Sequence, residues 1–165
     1  MRPVFGWAIV GTVVLLLALF FWGPSSGGGH SSKKTFALSS MKQVGLGLIM
    51  YVEDSNQVYP PCDTWCDEVL PYVKNVAAFV SRFDERTVLS PAMNGLLDMG
   101  VIRKTADLAE VVTLFQVVGP SRNAWGGPSG AWEGYGDKRT VHTAFADGHV
   151  RSIQRQKLSG LQWRP

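Results

Sequence analysis

Two cysteines, Cys62 and Cys66, are the residues whose type and spacing point most directly to chemistry. In an oxidising compartment, a pair four residues apart closes a small loop through a disulfide. The spacing differs from the Cys-x-x-Cys of dithiol redox proteins, and no second Cys or Cys/His pair completes a zinc site. A structural disulfide, two free thiols, and a redox or metal-binding role all stay open. A disulfide this local would add little chain-entropy stabilisation, so its role would be to fix the loop.

Asp147, His149 and His142 form the one polar cluster with metal-ligand potential. The two imidazoles need not lie on one face of a hairpin, and turn geometry already accounts for Asp147. We therefore predict a solvated hairpin and no metal site, with these three residues as the candidates if a metal binds. Glu133 and Asp137, in a glycine-rich stretch, could add oxygen ligands for calcium.

The chain has none of the local patterns that place a catalytic nucleophile or a zinc ion, such as Gly-x-Ser-x-Gly or His-Glu-x-x-His. A nucleophilic Cys62 would need a positioned base such as His142, which no local pattern supplies. We expect neither enzyme activity nor a cofactor.

The clearest local structure is a hairpin over 140–154. Val141, Thr143 and Phe145 alternate along the first strand, and Val150 and Ile153 follow in the second. Asp147-Gly148 separates them, and Asp-Gly is a pair favoured in two-residue turns whose central residues both have positive φ.

Helical periodicity runs through 33–56, where apolar residues recur at spacings of three and four. The core-facing stripe comprises Ala37, Met41, Val44, Leu48, Tyr51 and Val52. Gly45 and Gly47 each cost up to about 1 kcal/mol in a helix interior, but they permit close approach by a sheet. A helical turn is predicted over 65–73, with strands over 77–83 and 111–118. A helix followed by antiparallel strands indicates an α+β fold.

The chain begins with an apolar segment, since 4–22 contains no charged side chain. At 1.5 Å per residue it would span roughly 28 Å, close to the hydrocarbon thickness of a bilayer. We predict a transmembrane helix over 4–22 in contact with lipid, a Gly/Ser linker over 23–32 and a globular domain over 33–165. We expect a single-pass protein of the inner (cytoplasmic) membrane, with its globular domain on the extracytoplasmic side. A cleaved secretory signal is the alternative, because Arg2 gives a basic start.

The distribution of charged and aromatic residues indicates which partners to expect. The 16 Lys and Arg side chains exceed the 13 Asp and Glu, but the charges are interspersed. Since no basic stripe is interleaved with aromatic residues, we predict that nucleic acid is not a partner. Trp125, Trp132 and Tyr135 lie in a glycine-rich loop over 119–137. Such aromatics pin a loop onto a domain more often than they form a ligand platform.

Several segments, taken in order, resemble bacterial type IV pilin-like and type II secretion pseudopilin-like proteins. The resemblance is to prepilin-type chains with a C-terminal His…Asp-Gly hairpin motif. The matching segments are SSMKQVGLGLIMY at 39–51, YPP at 59–61, LPYVKN at 70–75, MNGL at 93–96, VTLFQ at 112–116 and FADGHV at 145–150. Phe145, Asp147, Gly148 and His149 form the signature hairpin, and the similarity covers most of 39–154.

The resemblance implies that an N-terminal helix leaves the membrane and packs on an antiparallel sheet. It implies a structural role without catalysis, through contacts with other pilin-like or envelope proteins. Two departures matter. The first concerns processing and filament incorporation, since Gly6 precedes Trp7 and Gly11 stands where the family has a glutamate. The second is the glycine linker, which uncouples the membrane helix from the soluble helix, whereas the family runs them on continuously. The family histidine, about ten residues before Asp-Gly, would fall at Asp137. The alternatives are a monomeric extracytoplasmic module that binds a ligand or metal, and a thiol redox protein.

Overall fold

The computed structural model describes residues 29–82, 88–102, 107–119, 122–130 and 140–164. The chain divides into two compact units, Met1–Ser31 and Ser32–Pro165. The helices and the sheet belong to the second unit, apart from the first three residues of the first helix.

In the described part of the chain, two α-helices precede the sheet. Helix α1 spans Gly29–Asp54 and helix α2 spans Trp65–Val73. The apolar stripe predicted for α1 faces the core, because Ala37, Met41, Val44, Leu48 and Val52 are buried and Tyr51 is half-buried. Helix α2 ends at Lys74, whose left-handed backbone lets its N–H donate to the carbonyl of Leu70, 2.9 Å away.

The described residues contribute six strands to the sheet: β1 (Ser81–Arg82), β2 (Val88–Asn94), β3 (Val112–Val118), β4 (Trp125–Gly126), β5 (Thr140–Phe145) and β6 (Val150–Gln154). Five follow the order β1-β2-β3-β5-β6 with antiparallel pairing, and β4 pairs with β2 in parallel. The pairing of β5 with β6 is the predicted hairpin, in which Val141 lies opposite Ile153. Short 3₁₀ turns at Val76–Phe79, Gly95–Leu97, Pro128–Gly130 and Arg155–Gly160 join or flank these elements.

The two faces of the sheet cover two apolar clusters. On one face Met93, Leu114 and Ala144 pack with the buried stripe of α1 and with Val69 of α2. Neighbouring residues in a strand point to opposite faces. The other face therefore presents Ala92, Phe115, Val141 and Phe145, which are covered by Leu158, Leu161 and Trp163 near the C-terminus.

Two glycines of α1 explain how closely it packs. A Cβ on Gly45 would lie 3.3 Å from the Cβ of Ala144 in the sheet, and one on Gly47 would collide with Cγ2 of Val73 in α2. The close approach predicted for these residues is therefore present, but it involves the second helix as well as the sheet.

The predicted fold class needs correction, because it includes a transmembrane helix. Residues 4–22 lie outside the described part of the chain. Within the described part, no helix has both the length and the apolar character needed to cross a membrane. Helix α1, the longest helix of the described residues, carries polar side chains such as Lys42, Gln43 and Glu53 along its exposed side. The described residues form an α+β domain, and none of the described helices could span a membrane.

Three local predictions also differ from the structure. Helix α1 begins at Gly29, inside the stretch predicted as linker, while 23–28 lie outside the described residues. The first three residues of the strand predicted over 77–83 belong to a 3₁₀ turn, which the Asn75 side chain caps by accepting the N–H of Ala77 at 3.1 Å. The described strand in this range is Ser81–Arg82. The prediction omitted β2, whose residues Ser90 and Pro91 interrupt its apolar run.

Asn94, at the end of β2, connects three segments that are distant in sequence. Its buried Nδ2 donates to the carbonyls of Val112 at 2.7 Å and Trp163 at 2.8 Å. Its Oδ1 accepts the N–H of Leu96 at 3.0 Å. The amide thus uses both donors and its acceptor, so a buried polar side chain is fully satisfied. It fixes the C-terminal segment to the start of β3.

Replacing Asn94 by alanine should destabilise the domain by about 3 kcal/mol, because buried carbonyls lose their donors at about 1–3 kcal/mol per group. The measurement is urea unfolding followed by circular dichroism. Asn75→Ala is the matched control. The side chain of the exposed Asn75 accepts the N–H of the residue two positions later, as that of Asn94 does, but it makes no bond to a buried carbonyl. It should cost less than about 1 kcal/mol. Equal losses in the two variants would contradict the role of Asn94.

Candidate functional site

The turn between β5 and β6 has three residues rather than two. The N–H of Phe145 donates to the carbonyl of His149 at 3.0 Å, and the N–H of Gly148 donates to the carbonyl of Phe145 at 2.9 Å. Of the turn residues only Gly148 has positive φ, at 85°. The two-residue turn predicted from Asp-Gly is therefore wrong. A three-residue loop closed by a left-handed glycine accommodates the same pair.

Gly148 lies directly against helix α1. A Cβ at this position would be 2.9 Å from Cδ1 of Ile49 and 3.2 Å from Cδ2 of Leu46. The Nζ of Lys42 donates to the Gly148 carbonyl at 2.8 Å. Glycine is thus required both for the backbone angle and for the space. The turn is attached to the helix by packing and by a hydrogen bond.

Asp147 and His149 stabilise the turn from within. The Oδ1 of Asp147 accepts the backbone N–H of His149 at 3.0 Å and lies 2.5 Å from its Nδ1. Desolvation raises the pKa of Asp147, but the N–H and the imidazole of His149 outweigh it and hold the pKa below its usual value. The N–H of Asp147 donates to the carbonyl of Leu108 at 3.2 Å, which ties the turn to a second loop.

The Phe145 ring contacts the side chains of His149 and Arg151. The imidazole of His149 stacks on its ring with centroids 4.3 Å apart and planes at 3°. The guanidinium carbon of Arg151 lies 4.5 Å from the ring centroid and pairs with Glu110 at 3.5 Å. Such contacts contribute about 0.5–1 kcal/mol at partly exposed sites. The signature residues of the hairpin therefore contact one another and the domain.

His142 and His149 lie on opposite faces of the hairpin. His142 pairs with Ser152, and its Nδ1 is 2.8 Å from the Ser152 Oγ. Phe145 lies three residues after His142 along β5, so its side chain points to the opposite face of the hairpin. His149 stacks on Phe145 and therefore lies on that opposite face. The described residues contain no cluster of three potential metal ligands. Glu133 and Asp137, the further calcium candidates, lie outside the described part.

Cys62 and Cys66 are free thiols, and both are buried. The N–H of Cys62 donates to Oδ1 of Asp98 at 2.8 Å. Cys66 and Asn123 bond reciprocally: the Cys66 N–H donates to Asn123 Oδ1 at 2.7 Å, and the Asn123 N–H donates to Cys66 Sγ at 3.3 Å. Each cysteine thus fastens a loop to the start of α2.

Burial makes both thiols weak acids. Desolvation, followed by the carboxylate of Asp98, raises the pKa of Cys62 to about 12. Desolvation also raises the pKa of Cys66 to about 11, although the hydrogen bond from Asn123 opposes it. Reactive cysteines have lowered pKa values, because the thiolate is the nucleophile. The electrostatics of the site are therefore opposite to those of a thiol redox centre.

The loop before β4 is fixed by polar contacts, and the tryptophan of β4 packs on Gly95. The Ala124 carbonyl accepts the N–H of Met93 at 2.8 Å and the Nε1 of Trp65 at 2.9 Å. Arg122 pairs with Asp67 on α2. The Trp125 side chain is 59% exposed. Its indole ring lies close to Gly95, since a Cβ on Gly95 would be 2.8 Å from the ring. Trp132 and Tyr135 lie outside the described residues.

A surface cavity of about 270 Å³ lies beside the C-terminal half of α1. It is lined mainly by apolar side chains, among them Ile49, Val52 and Leu108, with Glu53 and Gln57 as polar neighbours. Among the described residues that line it, none is a cysteine, histidine, serine or threonine. The described lining therefore binds by apolar contact, with Glu53 and Gln57 as its polar groups.

Sequence reasoning missed the residues that hold these elements in place. Lys42 reads as a solvated helix residue, and Asp98 and Asn123 read as loop residues. Their partners are 106, 36 and 57 positions away in sequence, so no local pattern could identify the contacts.

Comparisons with protein-family models, with curated proteins and with solved structures found no match for this chain. They give no support to the pilin, pseudopilin or secretion assignments. The resemblance drawn from the sequence motifs stays a prediction.

Gly148→Ala should destabilise the domain by about 2–4 kcal/mol, since left-handed backbone costs about 1–2 kcal/mol and overpacking about 1–3 kcal/mol. Chemical denaturation measures the change. Gly160→Ala is the control, because a Cβ there meets nothing within 4 Å. The contact between turn and helix would be discounted if both variants unfolded at the same denaturant concentration.

Alkylation of the folded protein by iodoacetamide at pH 8 should be roughly 100-fold slower than in guanidinium chloride, because burial raises the pKa of Cys66 to about 11 and that of Cys62 to about 12 and so lowers the thiolate fraction. Mass spectrometry of timed samples gives the rates for Cys62 and Cys66. Rapid labelling of the folded chain would contradict the burial. A native mass lower by two hydrogens would show a disulfide instead.

Proposed function

We propose that this chain is a non-catalytic, pilin-like structural protein that acts through protein–protein contacts in a cell-envelope assembly. The proposal combines the resemblance of the motifs with the roles that the matching residues have in the fold. Its expected partners are other pilin-like or envelope proteins.

The observation that carries the proposal is the attachment of the signature hairpin to α1. Gly148 packs on Leu46 and Ile49, and its carbonyl accepts the Lys42 ammonium. The hairpin segment and the helix segment are both among those that resemble the pilin-like group. They contact each other directly, which supports a shared architecture as the reason for the shared motifs.

The polar residues of the hairpin support a structural role for the same reason. Asp147 accepts two bonds from His149, and the His149 ring stacks on Phe145. These contacts order the turn and leave the carboxylate and the imidazole paired with each other. The raised pKa values of Cys62 and Cys66 disfavour the redox alternative.

The test is chemical cross-linking of intact cells that produce the tagged full-length chain at native abundance. We expect cross-linked species that contain pilin-like or other envelope proteins, because a structural subunit stays in contact with its neighbours. Mass spectrometry of the purified species identifies them. Cys62→Ser is the accompanying variant, and it should lower thermal stability without changing the set of partners.

Recovery of the chain only as an uncross-linked monomer would contradict the assembly role and favour a ligand-binding module. Loss of an enzymatic or redox activity in the folded Cys62→Ser variant would favour the thiol alternative.

A further inference from the structure

Helix α1 has an exposed side with a distinctive composition. Lys42, Leu46, Met50 and Glu53 follow one another at spacings of four, four and three, which places them along one side of the helix. We call these four residues the helix stripe. Leu46 is 44% exposed and Met50 is 50% exposed. A cation therefore stands at one end, a carboxylate at the other, and two large apolar side chains lie between them.

The surroundings hold the stripe in a fixed position. On one side lies the hairpin turn, where Lys42 donates to the Gly148 carbonyl and Leu46 contacts Gly148. On the other side Asn75 donates to Gln43 at 3.3 Å, and the Tyr72 hydroxyl donates to Asp54 at 3.0 Å. The helix stripe is therefore exposed, and the residues on both sides of it are held in place by these contacts.

The charges at its two ends are available for an intermolecular contact. Within the described part of the chain, neither Lys42 nor Glu53 belongs to an ion pair. The Lys42 ammonium has three donors, so its bond to one carbonyl leaves two for another partner.

The order of the residues makes the stripe complementary to itself. When a second helix runs antiparallel, with the twofold axis between Leu46 and Met50, Lys42 faces Glu53 of the other copy and Leu46 faces Met50. A twofold axis repeats each pair, giving two ion pairs around an apolar centre, as closed homodimers require. A parallel copy would instead place Lys42 beside Lys42 and Glu53 beside Glu53.

We propose that the helix stripe is a contact between two copies of this chain, with their α1 helices antiparallel. The contact deepens the proposed function, on which it rests, by naming one protein–protein interaction. Four side chains on each copy form a small surface, so the dimer is a weak one that depends on protein concentration.

Zero-length carbodiimide cross-linking of the purified full-length chain in nonionic detergent tests the contact directly. The reagent joins a lysine amine to a carboxylate only when they touch. Within one chain Lys42 and Glu53 are 11 residues apart, or about 16 Å along a helix, so a link between them must join two copies. We expect a Lys42–Glu53 peptide pair in the dimer band. Its absence from a band that other residue pairs dominate would overturn the proposal.

Charge reversal gives an independent test by sedimentation velocity. Lys42→Glu and Glu53→Lys should each weaken self-association roughly tenfold or more, because every ion pair becomes a like-charge pair. An equimolar mixture of the two variants should associate again, since one copy then carries two carboxylates and the other two ammonium groups. Glu68→Lys, on the exposed side of α2, is the matched control and should leave association unchanged.

The mixture keeps the test valid even though Lys42 also bonds to the Gly148 carbonyl. A variant that had merely lost its fold would not recover when mixed, and circular dichroism of each variant shows whether it is folded. Folded variants that fail to associate in the mixture overturn the antiparallel contact.

The two proposals fail separately. Envelope partners recovered from cross-linked cells, without a Lys42–Glu53 link in the purified chain, would retain the assembly role and remove this contact. A purified dimer with the expected link, from a chain that has no partner but itself in cells, would retain the contact and remove the wider assembly.

Discussion

The domain depends on the burial of one side of helix α1. Val44 and Leu48 are fully buried between the sheet and α2, and each such side chain contributes about 1.5–3 kcal/mol. The absence of side chains at Gly45 and Gly47 allows the helix to lie close to Ala144 and Val73. With the helix occupying one face of the sheet, the opposite face needs other cover. The C-terminal segment provides it, and Asn94 bonds to the Trp163 carbonyl within that segment.

The hairpin of β5 and β6 connects both apolar clusters. Its turn packs on α1 through Gly148, whereas Phe145 belongs to the cluster on the far side of the sheet. The Asp147–His149 pair lies at the junction and orders the backbone between them. Residues that read as metal ligands in the sequence therefore have a structural explanation, and the two histidines point to opposite faces.

The same division between buried and exposed sides bears on function. The cysteines lie on the buried side, where desolvation raises the pKa of both thiols and suppresses their nucleophilicity. The exposed side of α1 combines apolar side chains with opposite charges at its ends. This open side is the surface on which the proposed protein–protein contact rests.

The sequence by itself determined the elements that depend on local pattern. The 3.6-residue period placed the core-facing stripe of α1, the apolar run at 111–118 placed β3, and alternation around Asp-Gly placed the hairpin. The transmembrane helix of the predicted fold has no counterpart among the described helices. Strand β2 was missed because Ser90 and Pro91 interrupt its pattern, although tertiary pairing buries both residues.

Only the tertiary structure decided the roles of the polar residues. Asn94 donates to carbonyls 18 and 69 positions away, and Lys42 and Asn123 have partners 106 and 57 positions away, so local spacing in the chain contains no trace of these bonds. The same holds for the thiols, whose pKa values follow from what is packed around them. Local sequence determines which helix or strand forms, because backbone geometry is periodic. Which side chains meet depends on how the elements pack, which no short-range pattern records.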